Sequence, residues 1–178
     1  MSSKGISIAI SGRSGCGNTT VSRLLAQRLN LALVNYTFRS IAKEEQISFE
    51  EVCRRAELSD EYDHRVDRIQ VERAHMAPSV LGTRLAIWML SDADLKVYLT
   101  GSPKTRARRI QEREGGTLDE QMRETAKRDE RDSRRYQRLY GIDINDNTSA
   151  DLVVNTDRFK AEPVVDIIEI AALAMMKK

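Results

Sequence analysis

The run Gly12-Arg13-Ser14-Gly15-Cys16-Gly17-Asn18-Thr19-Thr20 has the spacing Gly-x-x-x-x-Gly-x-Thr of a loop that wraps phosphate groups, with Asn18 where lysine is usual. Glycines are needed because the backbone must curl close to phosphate oxygens in conformations that a side chain would forbid. Successive N–H groups then point inward at a helix N-terminus, whose partial positive charge favours an anion. Thr19 would offer its hydroxyl to the magnesium ion that bridges such phosphates. An ordinary glycine-rich turn shares the spacing. The apolar run before it and the helical pattern after it favour phosphate. A lost lysine contact is worth about 1.5–3 kcal/mol as a charge-assisted hydrogen bond, and another cation, Arg13 or a distant arginine, could supply it.

Those distant arginines are conspicuous. Between Lys104 and Arg138 lie Arg106, Arg108, Arg109, Arg113, Arg123, Arg128, Arg131, Arg134 and Arg135, interleaved with acids, although the whole chain carries a net charge of only +2. Arg128, Arg131, Asp132 and Arg135 fall at i, i+3, i+4 and i+7, on one helical face. Asp132 cannot neutralise all the guanidiniums on that stripe, whereas phosphates could, since the arginine fork binds their oxygens in pairs. A solvated face laced by Glu124, Asp129 and Glu130 is the plain alternative. The interleaved acids and scarce aromatics argue against an RNA-binding helix.

Elements that could position these groups alternate along the chain. Ile6 to Ile10, Ala32 to Val34, Ser79 to Leu81, Leu95 to Leu99 and Leu152 to Val154 read as strands. Helices are expected from Thr19, over Phe38–Glu45, from a Ser48/Glu51 capping box to about Glu57, and from Ser59 to about Met76. Further ones are expected over Lys104–Arg113 behind Ser102-Pro103, from Thr117 (with Glu120) to Tyr140, and from Pro163 onward. Strands separated by helices predict an α/β fold, a five-stranded parallel sheet flanked by helices.

A chain of 178 residues can bury a real core without staples. Cys16 and Cys53 are too few for a disulfide framework and lack metal spacing. The most apolar stretch, Ile167 to Met176, is interrupted by Glu169, so no membrane span is expected. Met1 to Lys4 lead straight toward the first strand without a signal-peptide core, and a cytoplasmic monomer without nucleic-acid partners is expected. His64, His75 and Trp88 carry no chemistry in this reading; the histidines are expected at the surface, the tryptophan in the core. Cys16, inside the loop, is expected to contribute only its backbone N–H, although a helix N-terminus can lower a thiol pKa and could make it reactive.

From Ser7 to about Ile168 the chain resembles the cytidylate kinases, most closely their short archaeal-type branch, within the P-loop nucleoside monophosphate kinases. The motifs are Gly12 to Thr20; Phe38-Arg39-Ser40-Ile41-Ala42; Arg84-Leu85 with Trp88-Met89; Arg113-Glu114-Gly115; Arg128-Asp129 through Asp132 to Arg135-Tyr136; and Tyr140-Gly141-Ile142-Asp143. The resemblance implies one kinase domain over 1–178, with a monophosphate-binding helical region at about 36–76 and a small lid at about 113–128. It implies transfer of the γ-phosphoryl group of ATP, with Mg²⁺, to CMP or dCMP. Arg39, Arg84 and Arg135 would hold the acceptor's phosphate, Arg128 and Asp132 would face its ribose, and Arg128 and Arg131 would approach the transferring group. Asp63, Asp67 and Gln70 match a polar stripe that could read the base. The chain departs from the pattern at Gly82-Thr83, where the archaeal type tends to have Glu-Gly. It departs again at Leu85, where the bacterial type has an aspartate that helps read cytosine. Asn18 keeps open a nucleotide sensor without turnover. Another acceptor also stays open; an alcohol would need a base, for which Asp63 and Asp67 are the candidates.

Overall fold

The computed structural model describes residues 5–176; the leading Met1–Lys4 segment lies outside the described residues. Five strands, β1 (Ser7–Gly12), β2 (Ala32–Val34), β3 (Ser79–Gly82), β4 (Leu95–Thr100) and β5 (Leu152–Asn155), form one sheet in the order β2-β3-β1-β4-β5. Every neighbouring pair is parallel. Side chains alternate across β1. Ile8 and Ile10 face a layer containing α1 (Asn18–Leu29) and α8 (Ala161–Met176), and Ala9 faces α5 (Ala86–Met89). Both faces are therefore covered, as parallel sheets require.

Helices α2 (Phe38–Glu45), α3 (Phe49–Leu58) and α4 (Glu61–Met76) connect β2 to β3 and enclose a small core of their own around Tyr36, Ile41 and Val52. Helices α6 (Pro103–Glu114) and α7 (Leu118–Tyr140) connect β4 to β5. The chain leaves β1 toward β2 but leaves β3 toward β4, in opposite directions. The carboxyl ends of β1 and β3 thus border a crevice, the place where open α/β sheets bind ligands. Among the described residues no helix is long and apolar enough to cross a membrane.

Local signals translate closely into caps. Ser102 caps α6 ahead of Pro103, and Thr117 with Glu120 makes a reciprocal capping box at α7. Three expectations need correction. Ser48 accepts from the Glu51 N–H, but the Glu51 carboxylate goes to Arg54 and Arg55 instead of back to the cap. Asp60, one residue beyond Ser59, is the cap of α4. The last helix begins at Ala161, so Pro163 sits inside its first turn. Helix α5, only one turn long, had no sequence signal.

Candidate active site

Between β1 and α1 the loop turns through Gly15 (φ +84°) and Gly17 (φ +101°), backbone that other residues rarely adopt. A Cβ on Gly15 would also stand 2.7 Å from the Arg106 carbonyl oxygen. The Cys16 N–H is spent inside the loop, on the Arg13 carbonyl at 3.1 Å. Among the described residues, the amides of Ser14, Gly15, Gly17, Asn18, Thr19 and Thr20 have no protein acceptor. Backbone donors left over at a helix N-terminus form a cradle for an anion. The Thr19 hydroxyl, exposed on the first turn of α1, is likewise without a protein partner.

Asn18 is a strut. Its Nδ2 donates to the Gly12 carbonyl at 2.6 Å, and its buried Oδ1 has no partner. It adds no charge to the cradle. Cys16 does not behave as a helix-terminal thiol: burial pushes it up to about 11, and Arg106 and Arg109 offset that only in part.

The loop is held from two sides. Arg106, 4% exposed, donates Nη1 to the Ser14 carbonyl at 3.1 Å and both Nη atoms to Asp129 at 3.1 and 2.6 Å. Asp129 also accepts from Arg13 Nη1 at 3.1 Å, so Arg13 is committed and does not stand in for the missing lysine. Arg109 reaches the Gly15 carbonyl at 3.3 Å and the Thr156 carbonyl at 2.6 Å. Breaking a buried pair such as Arg106–Asp129 costs about 3–5 kcal/mol because it strands a charge. This network ties α6 and α7 to the loop. In the sequence Arg106 and Asp129 are members of a charge run, and nothing local marks them as partners.

Helix α7 brings its arginines to this cradle and to the crevice beside it. Arg128 Nη1 donates to Ser14 Oγ at 3.2 Å, with the Glu114 carboxylate 3.9 Å away. Arg131, a turn further on, is 69% exposed and meets only Asp132, at 3.8 Å. Asp132 lies 3.2 Å from Arg84 Nε at the end of β3. Arg135 pairs with Asp63 of α4 and donates to the Ala56 carbonyl of α3 at 3.1 Å. Arg39 covers the Phe49 ring at 4.2 Å. Burial, with Glu50 and Glu57, pushes the Cys53 thiol up, and Arg39 and Arg131 offset that only in part. Glu124 and Glu130 do not neutralise this stripe: Glu124 pairs with Lys127 and Glu130 with Arg134 on the exposed face.

The polar stripe of α4 divides. Asp63 is taken by Arg135. Gln70, 4% exposed, donates to the Tyr36 carbonyl at 2.7 Å and braces the end of β2. Asp67 accepts from the Tyr140 hydroxyl at 2.5 Å, and burial pushes its carboxyl up to about 6. Tyr140 ends α7, which Gly141 caps with φ +66°, so the Tyr140-Gly141 motif marks a helix stop that aims a phenol at α4. His64 and His75 are exposed, the latter 3.1 Å from Asp92; Trp88 packs edge-on to Tyr98 in the core.

A model of the cytidylate kinase-like family matches residues 7–158. Cytidylate kinase 2 of Borreliella afzelii is 41% identical over 165 residues, spanning 90% of this chain and 93% of the relative. The cytidylate kinase of Pyrococcus horikoshii is 41% identical over 166 residues, 92% of this chain and 86% of its own. Among solved structures, shikimate kinase from Acinetobacter baumannii in complex with shikimate superposes with a TM-score of 0.65 at 15% identity, covering 97% of this chain and 95% of that one. Deoxyadenosine kinase from M. mycoides with bound dATP gives 0.53 at 15% identity, over 93% and 98%. At such identities the structural likeness speaks for the fold alone. The sequence matches, which span nearly the whole chain and its relatives, say more: this chain belongs to the cytidylate kinase-like family.

Proposed function

We propose that this protein transfers the γ-phosphoryl group of ATP to CMP, giving ADP and CDP, with dCMP as a second acceptor. The observation that carries the reading is the cradle of unpaired amides of Ser14, Gly15 and Gly17 to Thr20 lying under the arginine face of α7, with Arg128 on the Ser14 hydroxyl. The cradle suits the β- and γ-phosphates of a magnesium–ATP substrate. Among the described residues no cluster of His, Cys, Asp or Glu could hold a metal alone. The ion would come with the phosphates and find the free Thr19 hydroxyl.

Arg39, Arg84 and Arg135 are assigned to the acceptor's phosphate across the crevice, and Asp132, beside Arg84, to its ribose. These guanidiniums lie against Phe49, Asp132 and Asp63 respectively. An incoming phosphate would therefore exchange one counter-charge for another instead of meeting bare cations. The acceptor oxygen is already ionised at neutral pH, so no residue need remove a proton. What the protein supplies is alignment and neutralisation of spreading negative charge. Arg128 and Arg131 are assigned that role. The paired glycines Gly115 (φ +82°) and Gly116 (φ +80°) between α6 and α7 give a hinge for a lid, about 113–128, that would exclude water over the two nucleotides.

Asn18 supports a second reading. A neutral strut where lysine is usual would suit a nucleotide sensor that binds without turnover. Release of ADP from ATP and magnesium, measured with CMP, dCMP, UMP and AMP in turn, separates the two. Fast release with CMP or dCMP and little with AMP is expected. Tight binding of ATP and CMP with no ADP formed would leave only the sensor.

A further inference from the structure

Two consecutive residues of the loop meet two consecutive residues of α7. Arg13 Nη1 donates to Asp129 Oδ2 at 3.1 Å, and Ser14 Oγ accepts from Arg128 Nη1 at 3.2 Å. Positions 13 and 14 thus pair with 129 and 128. This clasp of two side-chain bonds sets how the arginine face of α7 stands over the cradle. Helix α6 meets the loop differently, backbone against backbone: a Cβ on Gly15 would stand 2.9 Å from the Arg106 Cα.

The bond from Arg13 is surplus to the fold. Asp129 already takes both Nη atoms of Arg106, and that pair would keep the carboxylate neutralised without Arg13. Loss of Arg106 strands a buried acid, whereas loss of Arg13 strands nothing. Nor does Arg13 face the phosphates. Its part-buried guanidinium turns to α7 and makes this one hydrogen bond among the described residues. Holding a long side chain in one rotamer costs conformational entropy. The return on that ordering lies in what Asp129 carries beside it, which is Arg128.

We infer that Arg13 is a positioning residue for phosphoryl transfer: by holding Asp129 it fixes the helical turn that carries Arg128, and so aims that guanidinium at the γ-phosphoryl group. The inference rests on the kinase reading, with Arg128 acting on the transferring group. Arg128 is the last residue of the lid proposed over about 113–128, whose other end turns at Gly115 and Gly116. With residue 129 pinned to the loop, closure of that segment brings Arg128 to one place above the cradle. Unpinned, the helix closes off line, and a misplacement of about 1 Å can cost about 10²-fold in rate.

The test is kcat and KM for ATP, with CMP as acceptor, in wild type, Arg13→Met, Arg13→Lys, Arg128→Ala and the double variant Arg13→Met/Arg128→Ala. Methionine keeps an apolar stem and removes the charge. Arg13→Met should lower kcat about a hundredfold, with KM for ATP within about threefold and the melting temperature close to wild type. Lysine should recover most of the loss, because Arg13 uses a single nitrogen and a point charge can reach one carboxylate oxygen. In the Arg128→Ala background, Arg13→Met should cost less than about threefold further, since nothing is left to position. An unchanged kcat in Arg13→Met overturns the inference. So do equal losses in both backgrounds, or a loss confined to KM for ATP, which would put Arg13 on the phosphates. Hydrogen exchange over residues 118–128, with a non-hydrolysable ATP analogue, magnesium and CMP, reads the clasp without turnover. The protection gained on binding should fall about tenfold in Arg13→Met and return in Arg13→Lys; unaltered protection overturns the inference. A wild type that gains this protection but forms no ADP would defeat the kinase reading and leave the clasp to the exchange measurement.

Discussion

Arg128→Ala should lower kcat for CMP phosphorylation about a thousandfold, while KM for CMP moves only severalfold. An arginine placed on the charge of a transferring phosphoryl group is worth about 10³–10⁵ in rate, or about 4–7 kcal/mol of barrier. The lower end is expected because Arg131 stands one turn away and can take up part of the charge. The fold should survive. Arg128 touches only the Ser14 hydroxyl and, at 3.9 Å, Glu114, and it takes no part in the buried Arg13–Asp129–Arg106 network. Steady-state kinetics with an unchanged melting temperature would check this. Arg128→Lys should recover little, because a point charge cannot fork onto two phosphate oxygens.

Arg135→Ala should lower kcat/KM for CMP about a hundredfold with ATP affinity unchanged. A charge-assisted hydrogen bond contributes about 1.5–3 kcal/mol, and Arg135 would make it to the acceptor in both the ground and transition states. The substitution also strands Asp63, whose side chain is only 14% exposed. Some loss of stability is therefore expected as well. Asp63→Asn added to Arg135→Ala separates the two effects: it should restore the melting temperature without restoring kcat/KM. Recovery of turnover in the double variant would mean that Arg135 serves the packing of α7 on α4 and not the acceptor.

The parts of this molecule legible in its sequence are those whose cause is local. Ser102-Pro103, Thr117 with Glu120, and Gly115-Gly116 mark helix ends through hydrogen bonds spanning a few residues, and the structure has its breaks there. The loop from Gly12 to Thr20 could be recognised because its glycine spacing is itself the mechanism. The strand order could not be read, since β3 enters beside β1 only through packing of segments some seventy residues apart. The same holds for side-chain partners. Asp129 receives Arg13 across 116 positions, Asp63 receives Arg135 across 72, and Tyr140 reaches Asp67 across 73. Asp129 looked like one more member of a solvated face, and Asp63 and Asp67 stood out only as a polar stripe, with no sign of the arginine and the tyrosine that take them. For Cys16 the helix terminus that could lower its pKa is visible in the sequence, but the packing that buries the thiol, and the turn that spends its N–H on the Arg13 carbonyl, are not.

Crystals of the protein with a non-hydrolysable ATP analogue, magnesium and CMP bear most directly on the central claim. The β- and γ-phosphate oxygens should lie within hydrogen-bond distance of the free amides among Ser14, Gly15 and Gly17 to Thr20. The CMP phosphate should sit on Arg84 and Arg135, with the Arg135–Asp63 pair opened. An occupied crevice with those amides still turned to solvent, or a triphosphate bound anywhere else on the surface, would contradict it.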